Sequence, residues 1–243
     1  MEQIKISAKT LGAMALDDFC PRCFYIRLHT KALPWQIFPG IFSSIDAYTK
    51  RVVHSLIDRA VEAGNGDGLP PWMKSMGNIQ GYLKVPHWSK FKAVIPEFNI
   101  LLTGGPDDLW VDATGNIIIP DYKTAKYTET QDKLRPMYEV QLNGYALIAG
   151  ACDITPVTRL FMVYMEPKTD DETAGKNLNT EGFGMPFTAH PVEVELAPEN
   201  LFLLFERLRK LCDSSVLPES APKCKDCEAV SGITRLLADT PPL

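Results

Sequence analysis

Apolar residues recur along this chain at two periods, and the period changes divide it into elements. In residues 7–19, Leu11, Met14, Ala15 and Leu16 stand near helical spacing behind Ser7, a favourable cap, so a helix is expected there. Ile45, Tyr48, Val52, Leu56 and Ala60 repeat at threes and fours, with Ser43 and Asp46 fitting a capping box and Gly64 closing a long helix. Residues 133–150 read as a further helix with Val140, Leu147 and Ile148 for core, and residues 201–211 as an amphipathic one after Pro198. Strands are expected at 91–103, at 157–166, whose mostly apolar run suits an interior position, and at 187–196, whose alternation suits an edge. The Pro-punctuated residues 30–42, the turn-rich 64–71 and the polar 167–185 read as loops, the last long and mobile. Residues 72–88 read as a surface segment with buried tryptophans.

The pattern centres on residues 104–124, GGPDDLWVDATGNIIIPDYKT. Two short apolar runs, 109–111 and 116–119, flank a Gly-containing turn and predict a β-hairpin. Side chains alternate along a strand, so Asp121 and Lys123 share a face. Asp107, at the mouth of the other strand, can reach that face, with Asp108 as its alternate because neighbouring strand residues point oppositely. Two carboxylates and a lysine in one place suit a hard divalent cation, with an ammonium to offset developing charge.

The spacing of G-x-P-D (104–107) before I-x-D-Y-K-T (119–124) resembles the signature of the PD-(D/E)XK nucleases in their RecB-like branch, and Gln141 to Tyr145 is similar to that branch's Q-x-x-x-Y helix motif. The i, i+4 spacing puts Gln141 and Tyr145 on one helical face. The resemblance implies a restriction-endonuclease-like α/β (α+β) core, a central mixed sheet flanked by helices. It also implies a metal-dependent deoxyribonuclease using Mg²⁺ or Mn²⁺, an exonuclease more than an endonuclease, acting in DNA processing, repair or CRISPR adaptation. Asp107, Asp121 and the Tyr122 carbonyl would hold the metal. Lys123 would be catalytic with them, and Gln141 and Tyr145 would position the phosphate or attacking water, unless Tyr145 is simply core. RecB-like enzymes often carry a metal-ligating histidine on a preceding helix. His54, last in an Asp46, Lys50, His54 ladder, is the candidate, although the usual preceding glycine is missing and an ordinary helix-boundary histidine is the competing reading. The chain then reads as one nuclease domain over 1–243, with a helical region at residues 1–90, a catalytic core at 91–212 and a C-terminal tail at 213–243.

Four of the six cysteines form two C-x-x-C pairs, Cys20/Cys23 and Cys224/Cys227, near opposite ends of the chain. Two such pairs complete a tetrathiolate metal site that ties the tail to the first helix. The C-P-R opening and the cysteines resemble those of CRISPR-associated four-cysteine exonucleases. That likeness puts a [4Fe–4S] cluster ahead, whereas ligand chemistry permits Zn²⁺ equally, and the two-plus-two split departs from the branch's usual one-plus-three. Cys152 and Cys212 read as core thiols.

Composition changes this picture little. Hydrophobic residues make up 45% and charged residues 23%, ordinary values for a globular chain with a substantial core. The net charge of −5 excludes a protein coated in phosphate-binding residues, not one with a local basic stripe. Basic residues do gather, at Arg22, Arg27 and Lys31, at Lys84, Lys90 and Lys92, and at Lys123, Lys126, Lys133 and Arg135, although each cluster alone fits a solvated face. Met1 to Lys5 lacks an apolar signal core and no run approaches membrane-spanning length, so a cytoplasmic protein is expected. DNA with a single-stranded end is the expected partner. The competing reading is a non-catalytic DNA-binding or assembly module that retains the fold, against which the intact Asp107, Asp121, Lys123 and Gln141 argue. A redox-sensing cluster protein is disfavoured, because the thiolates need no such role to fold the chain.

Overall fold

The computed structural model describes residues 2–30, 39–64, 68–128 and 133–239. In chain order its elements are β1 (Ile4–Ser7), α1 (Ala8–Gly12), α2 (Pro21–Thr30), α3 (Gly40–Glu62), α4 (Pro71–Lys74), β2 (Ile79–Tyr82), β3 (Lys92–Ile95), β4 (Ile100–Thr103) and β5 (Trp110–Asp112). They continue with β6 (Ile117–Lys123), α5 (Arg135–Ala151), β7 (Val157–Pro167), α6 (Asp171–Lys176), β8 (Leu178–Asn179), β9 (Gly182–Phe183), β10 (Phe187–Val194), α7 (Leu201–Cys212) and α8 (Lys225–Asp239). Among the described residues no helix is long and apolar enough to cross a membrane.

The main sheet has the strand order β10-β7-β6-β5-β2, with β6 and β7 parallel and the other pairs antiparallel. It is the expected central mixed sheet flanked by helices. Alternation along β6 and β7 divides the core in two. Ile117, Ile119, Leu160, Met162 and Tyr164 join one apolar cluster with Leu142, Tyr145 and Ile148 of α5. Ile118, Tyr122, Phe161, Val163 and Met165 join another with Val53, Ile57 and Ala60 of α3. Asp121 and Lys123 share the parity of Ile117 and Ile119, so the strand's register alone turns them toward α5. The hairpin turn is pinned by Asp112, whose carboxylate accepts from the backbone N–H groups of Thr114 (2.8 Å) and Asn116 (2.9 Å), with Gly115 at φ +82°.

Several expectations are corrected. Residues 91–103 are not one strand entering the hairpin. Pro96 starts a short 3₁₀ turn, Asn99 takes the left-handed conformation at φ 48°, and the chain doubles back as β3 and β4. These two strands join β1 in a separate three-stranded sheet, β1-β4-β3. The helix expected over 7–19 is shorter. Ser7 caps it as expected, accepting from Thr10 N–H at 3.0 Å, but it covers Ala8–Gly12 and a 3₁₀ turn at Ala13–Ala15, with β1 before it. The Ser43–Asp46 capping box does not form, since α3 starts at Gly40 directly after Pro39. Of the loop expected at 30–42, Thr30 lies in α2 and residues 40–42 in α3. The remainder, except Pro39, lies outside the described residues, as does Lys31 of the first basic cluster.

The expected long loop 167–185 contains α6 and the β8–β9 ribbon, α6 being capped by Asp170 on Thr173 N–H. Residues 72–88 contain most of α4 and all of β2. Trp72 is partly buried, but Trp88 is exposed, with Lys5 lying over its ring. The tail carries a helix, α8, that its local pattern did not announce. Cys152 and Cys212 sit half-buried at the margin of the core rather than within it.

Candidate active site

The hairpin brings the predicted residues to one cavity of about 490 Å³, lined by Asp46, Asp107, Asp121, Lys123, Gln141 and Tyr145 among others. Separate elements place them, with Asp46 on α3. Asp121 and Lys123 end the central strand β6, Gln141 and Tyr145 are one turn apart on α5, and Asp107 sits in the turn before β5. Gly104 explains why that turn carries its glycine: a Cβ there would meet the Tyr145 ring at 2.6 Å, so only glycine lets the turn settle on α5. Gly144 lets α5 pack onto α1, where a Cβ would meet that of Ala8 at 2.6 Å.

Asp107 accepts from the Tyr122 backbone N–H at 2.8 Å, which locks the turn onto β6, and its other oxygen meets Lys50 Nζ at 2.9 Å. Asp121 is 2% exposed and in direct contact with Lys123 Nζ. The contact is one of charge, because Asp121 Oδ2 accepts no aligned hydrogen bond. Burial raises its carboxyl to about 6 from the ordinary 3.8; Lys123 opposes the rise and the neighbouring Asp107 adds to it. Lys123 also reaches Gln141 Oε1 at 3.3 Å and lies over the Tyr138 ring at 4.3 Å. Gln141 Nε2 donates to the Tyr145 hydroxyl at 2.6 Å. Burial, with the nearby Asp121 charge, raises the Tyr145 phenol well above its usual range, so it remains a neutral hydroxyl. Tyr145 therefore belongs to the core by its ring and to the cavity by its oxygen.

Asp108 takes the opposite course to Asp107. It is fully buried and accepts from Leu109 N–H (3.0 Å), His54 Nε2 (2.9 Å), Trp110 Nε1 (3.1 Å) and the Tyr122 hydroxyl (3.2 Å). Of the two acids in the turn, Asp107 faces the cavity and Asp108 locks the core. His54 is corrected accordingly: its Nε2 is engaged by Asp108, its ring stacks on Tyr82 at 3.8 Å, and it does not line the cavity. The ladder's other members do reach the site. Lys50 bridges Asp46 (3.2 Å) and Asp107. Sequence reasoning had the spacing of Asp46 and Lys50 but gave them no role, because nothing in the chain's order says which face of α3 meets the turn.

The four cysteines converge although about two hundred positions separate the pairs. Their sulfurs all lie within 4.8 Å of one another, with Cys23 and Cys227 at 3.2 Å and Cys20 and Cys227 at 3.6 Å. Each pair straddles a helix start, Cys20 and Cys23 at α2 and Cys224 and Cys227 at α8, where backbone N–H groups favour thiolates. Burial raises the Cys20 thiol, but backbone N–H groups of Cys23 and Ala221 and the other cysteines outweigh it and bring it down to about 6. Burial raises the Cys23 thiol, and the neighbouring thiols add to the rise. Arg22 donates from Nε to the Pro218 carbonyl at 2.8 Å, which fastens the tail to α2.

A family model for the PD-(D/E)XK nuclease superfamily matches residues 44–231, which take in the hairpin, α5 and the second cysteine pair. The chain belongs to that superfamily, a class of nucleases. Among solved structures it is similar to one described as "Crystal structure of SSO0001", at 13% identity and a TM-score of 0.37, covering 88% of this chain and 79% of that one. Comparison with curated proteins found no match.

Proposed function

We propose that the chain is a divalent-metal-dependent deoxyribonuclease of the RecB-like branch, working from DNA ends as an exonuclease. The observation that carries this reading is the meeting of Asp107, Asp121, Lys123 and Gln141 in one cavity from three separate elements. The donor set suits Mg²⁺ or Mn²⁺: two carboxylates beside the Tyr122 backbone, all hard oxygen, with one buried Asp121 oxygen accepting no hydrogen bond. Bound there, such an ion would polarise a phosphoryl oxygen and lower the pKa of a water. The residues of the chain do the remaining work. Lys123, at the cavity and tied to Asp121 and Gln141, places positive charge where a phosphate gains negative charge. Gln141, itself oriented by the Tyr145 hydroxyl, offers an amide to the phosphate or the attacking water. Lys126, Lys133 and Arg135, which follow β6 in the chain, supply cations for a strand backbone, and a single-stranded end is the form of DNA we assign to it.

The cysteine centre is read as structural, joining the start of α2 to the start of α8. Four cysteine sulfurs this close together suit one tetrahedral Zn²⁺ or a [4Fe–4S] cluster, the cluster being put ahead by the resemblance. Iron, sulfide and zinc analysis of anaerobically purified protein decides between them. DNA processing, repair and CRISPR adaptation are the settings that fit.

Incubation of the purified chain with end-labelled single- and double-stranded DNA, with Mg²⁺, Mn²⁺ or EDTA, tests the activity. Metal-dependent loss of mononucleotides from single-stranded ends is expected, and Lys123→Ala should reduce single-turnover cleavage by about 10²-fold or more. Binding without cleavage under every metal would leave the non-catalytic module as the reading.

A further inference from the structure

Lys50 reaches the cavity through its ion pairs with two of the cavity's carboxylates, and the nuclease chemistry gives it no work. Its Nζ lies 2.9 Å from Asp107 and 3.2 Å from Asp46, with the side chain about a third exposed. Asp46 is its i−4 neighbour on α3 and lines the cavity itself. One turn further along the same face, His54 is bound to Asp108 and stacked on Tyr82. That contact ties the helix to the turn next to Lys50. The two acids assigned to the metal are each paired with one lysine, Asp107 with Lys50 and Asp121 with Lys123. A divalent cation taking Asp107 therefore meets an ammonium already seated there.

We propose that Lys50 is the resident counter-ion of Asp107, that a divalent cation displaces it, and that the displaced ammonium, kept at the cavity by Asp46, contacts a phosphate of the substrate strand. The charges favour this order. Lys9, Lys50 and Lys123 balance Asp46, Asp107 and Asp121, so the site is neutral and repels no cation. Once a divalent ion is present the balance becomes two positive charges, which attract a phosphodiester. Lys50 needs little movement, because its nitrogen already touches both berths and sits on a flexible four-carbon stem. The proposal rests on the nuclease reading only in naming the ligands; the competition between Lys50 and the cation is a property of the protein without nucleic acid.

The test is calorimetric titration of Mn²⁺ into the full chain without DNA, a hard ion that leaves the thiolates alone. Lys50→Met removes the competitor, and for a partly exposed pair of this kind Mn²⁺ should bind about fivefold tighter than in the wild type. Lys50→Arg keeps a charge whose planar fork holds both carboxylates more firmly, so Mn²⁺ should bind more weakly. The opposite signs separate competition from a merely structural role, and Lys50→Arg retains the ion pairs if the methionine variant fails to fold. Equal or weaker binding in Lys50→Met, or tighter binding in Lys50→Arg, overturns the displacement. Absence of Mn²⁺ binding in every protein overturns the nuclease reading and this proposal together, whereas wild-type binding that ignores both substitutions overturns this proposal alone. For the second step, oligonucleotide affinity is measured against salt with Ca²⁺ present; Lys50→Met should lower the log–log slope by about 0.7, one phosphate contact on a single strand. An unchanged slope removes the phosphate contact.

Discussion

Asp121→Asn should make the metal-free protein more stable while abolishing cleavage. The substitution keeps the shape and removes the charge. In the folded chain the carboxyl sits at about 6 against the ordinary 3.8, because burial disfavours the anion more than Lys123 restores it. At 1.36 kcal/mol per tenfold, the anion costs the fold about 3 kcal/mol at pH 7.5, where the group is ionised both folded and unfolded. The native value is the higher one, so the cost is absent below the ordinary 3.8, grows as pH rises and is complete above about 6. Asparagine removes it, and because the shift already includes the attraction of Lys123, a gain of about 3 kcal/mol is expected. For a domain of this size that raises the melting temperature by about 6–12 °C. Thermal unfolding in Mg²⁺-free buffer without a chelator, so that the cysteine centre keeps its metal, measures it at pH 7.5 and again at pH 5, where the gap should shrink to about half. Added Mg²⁺ should then stabilise the wild type by linkage and leave the variant unmoved. A variant that melts below the wild type at pH 7.5, or a gap indifferent to pH, would refute the claim that the fold strains this anion.

Three further substitutions probe the buried acid, the helix motif and the cysteine centre. Asp108→Asn should cost about 2–4 kcal/mol, read by chemical denaturation, because an amide cannot accept from all the donors that converge on that buried carboxylate; unchanged stability would put the acid outside the core. Tyr145→Phe should slow single-turnover cleavage about tenfold while the melting temperature stays within a few degrees, since it deletes the hydroxyl that orients Gln141; unchanged kinetics would reduce Tyr145 to packing. Cys224→Ala should lower the metal content per chain, the melting temperature and the tail's resistance to protease, with activity falling only as the fold loosens; full stability without metal would dismiss the centre.

The sequence determined the features whose signal is local. Alternation in 116–124 placed Asp121 and Lys123 on one face of a strand, helical spacing put Gln141 beside Tyr145, and a Gly-containing turn joined the hairpin's strands. Two C-x-x-C pairs announced a shared centre because neither pair alone completes four-coordination. What the chain's order could not hold is which faces meet. Asp107 and Asp108 are adjacent and chemically identical, and only the docking of α3 and β6 on the turn sends one to the cavity and the other into the core. The same docking gives His54 to Asp108 and brings Asp46 and Lys50, bland as a helical ladder, to the rim of the site. The fold-back at Asn99 had a local signal, since Pro96, Glu97 and Asn99 interrupt the apolar residues of 91–103, but the second sheet did not: only a parallel partner from the start of the chain, β1, fixes that pairing. Spacing along the chain thus specified which side chains share a face, and packing between elements specified what each face looks at.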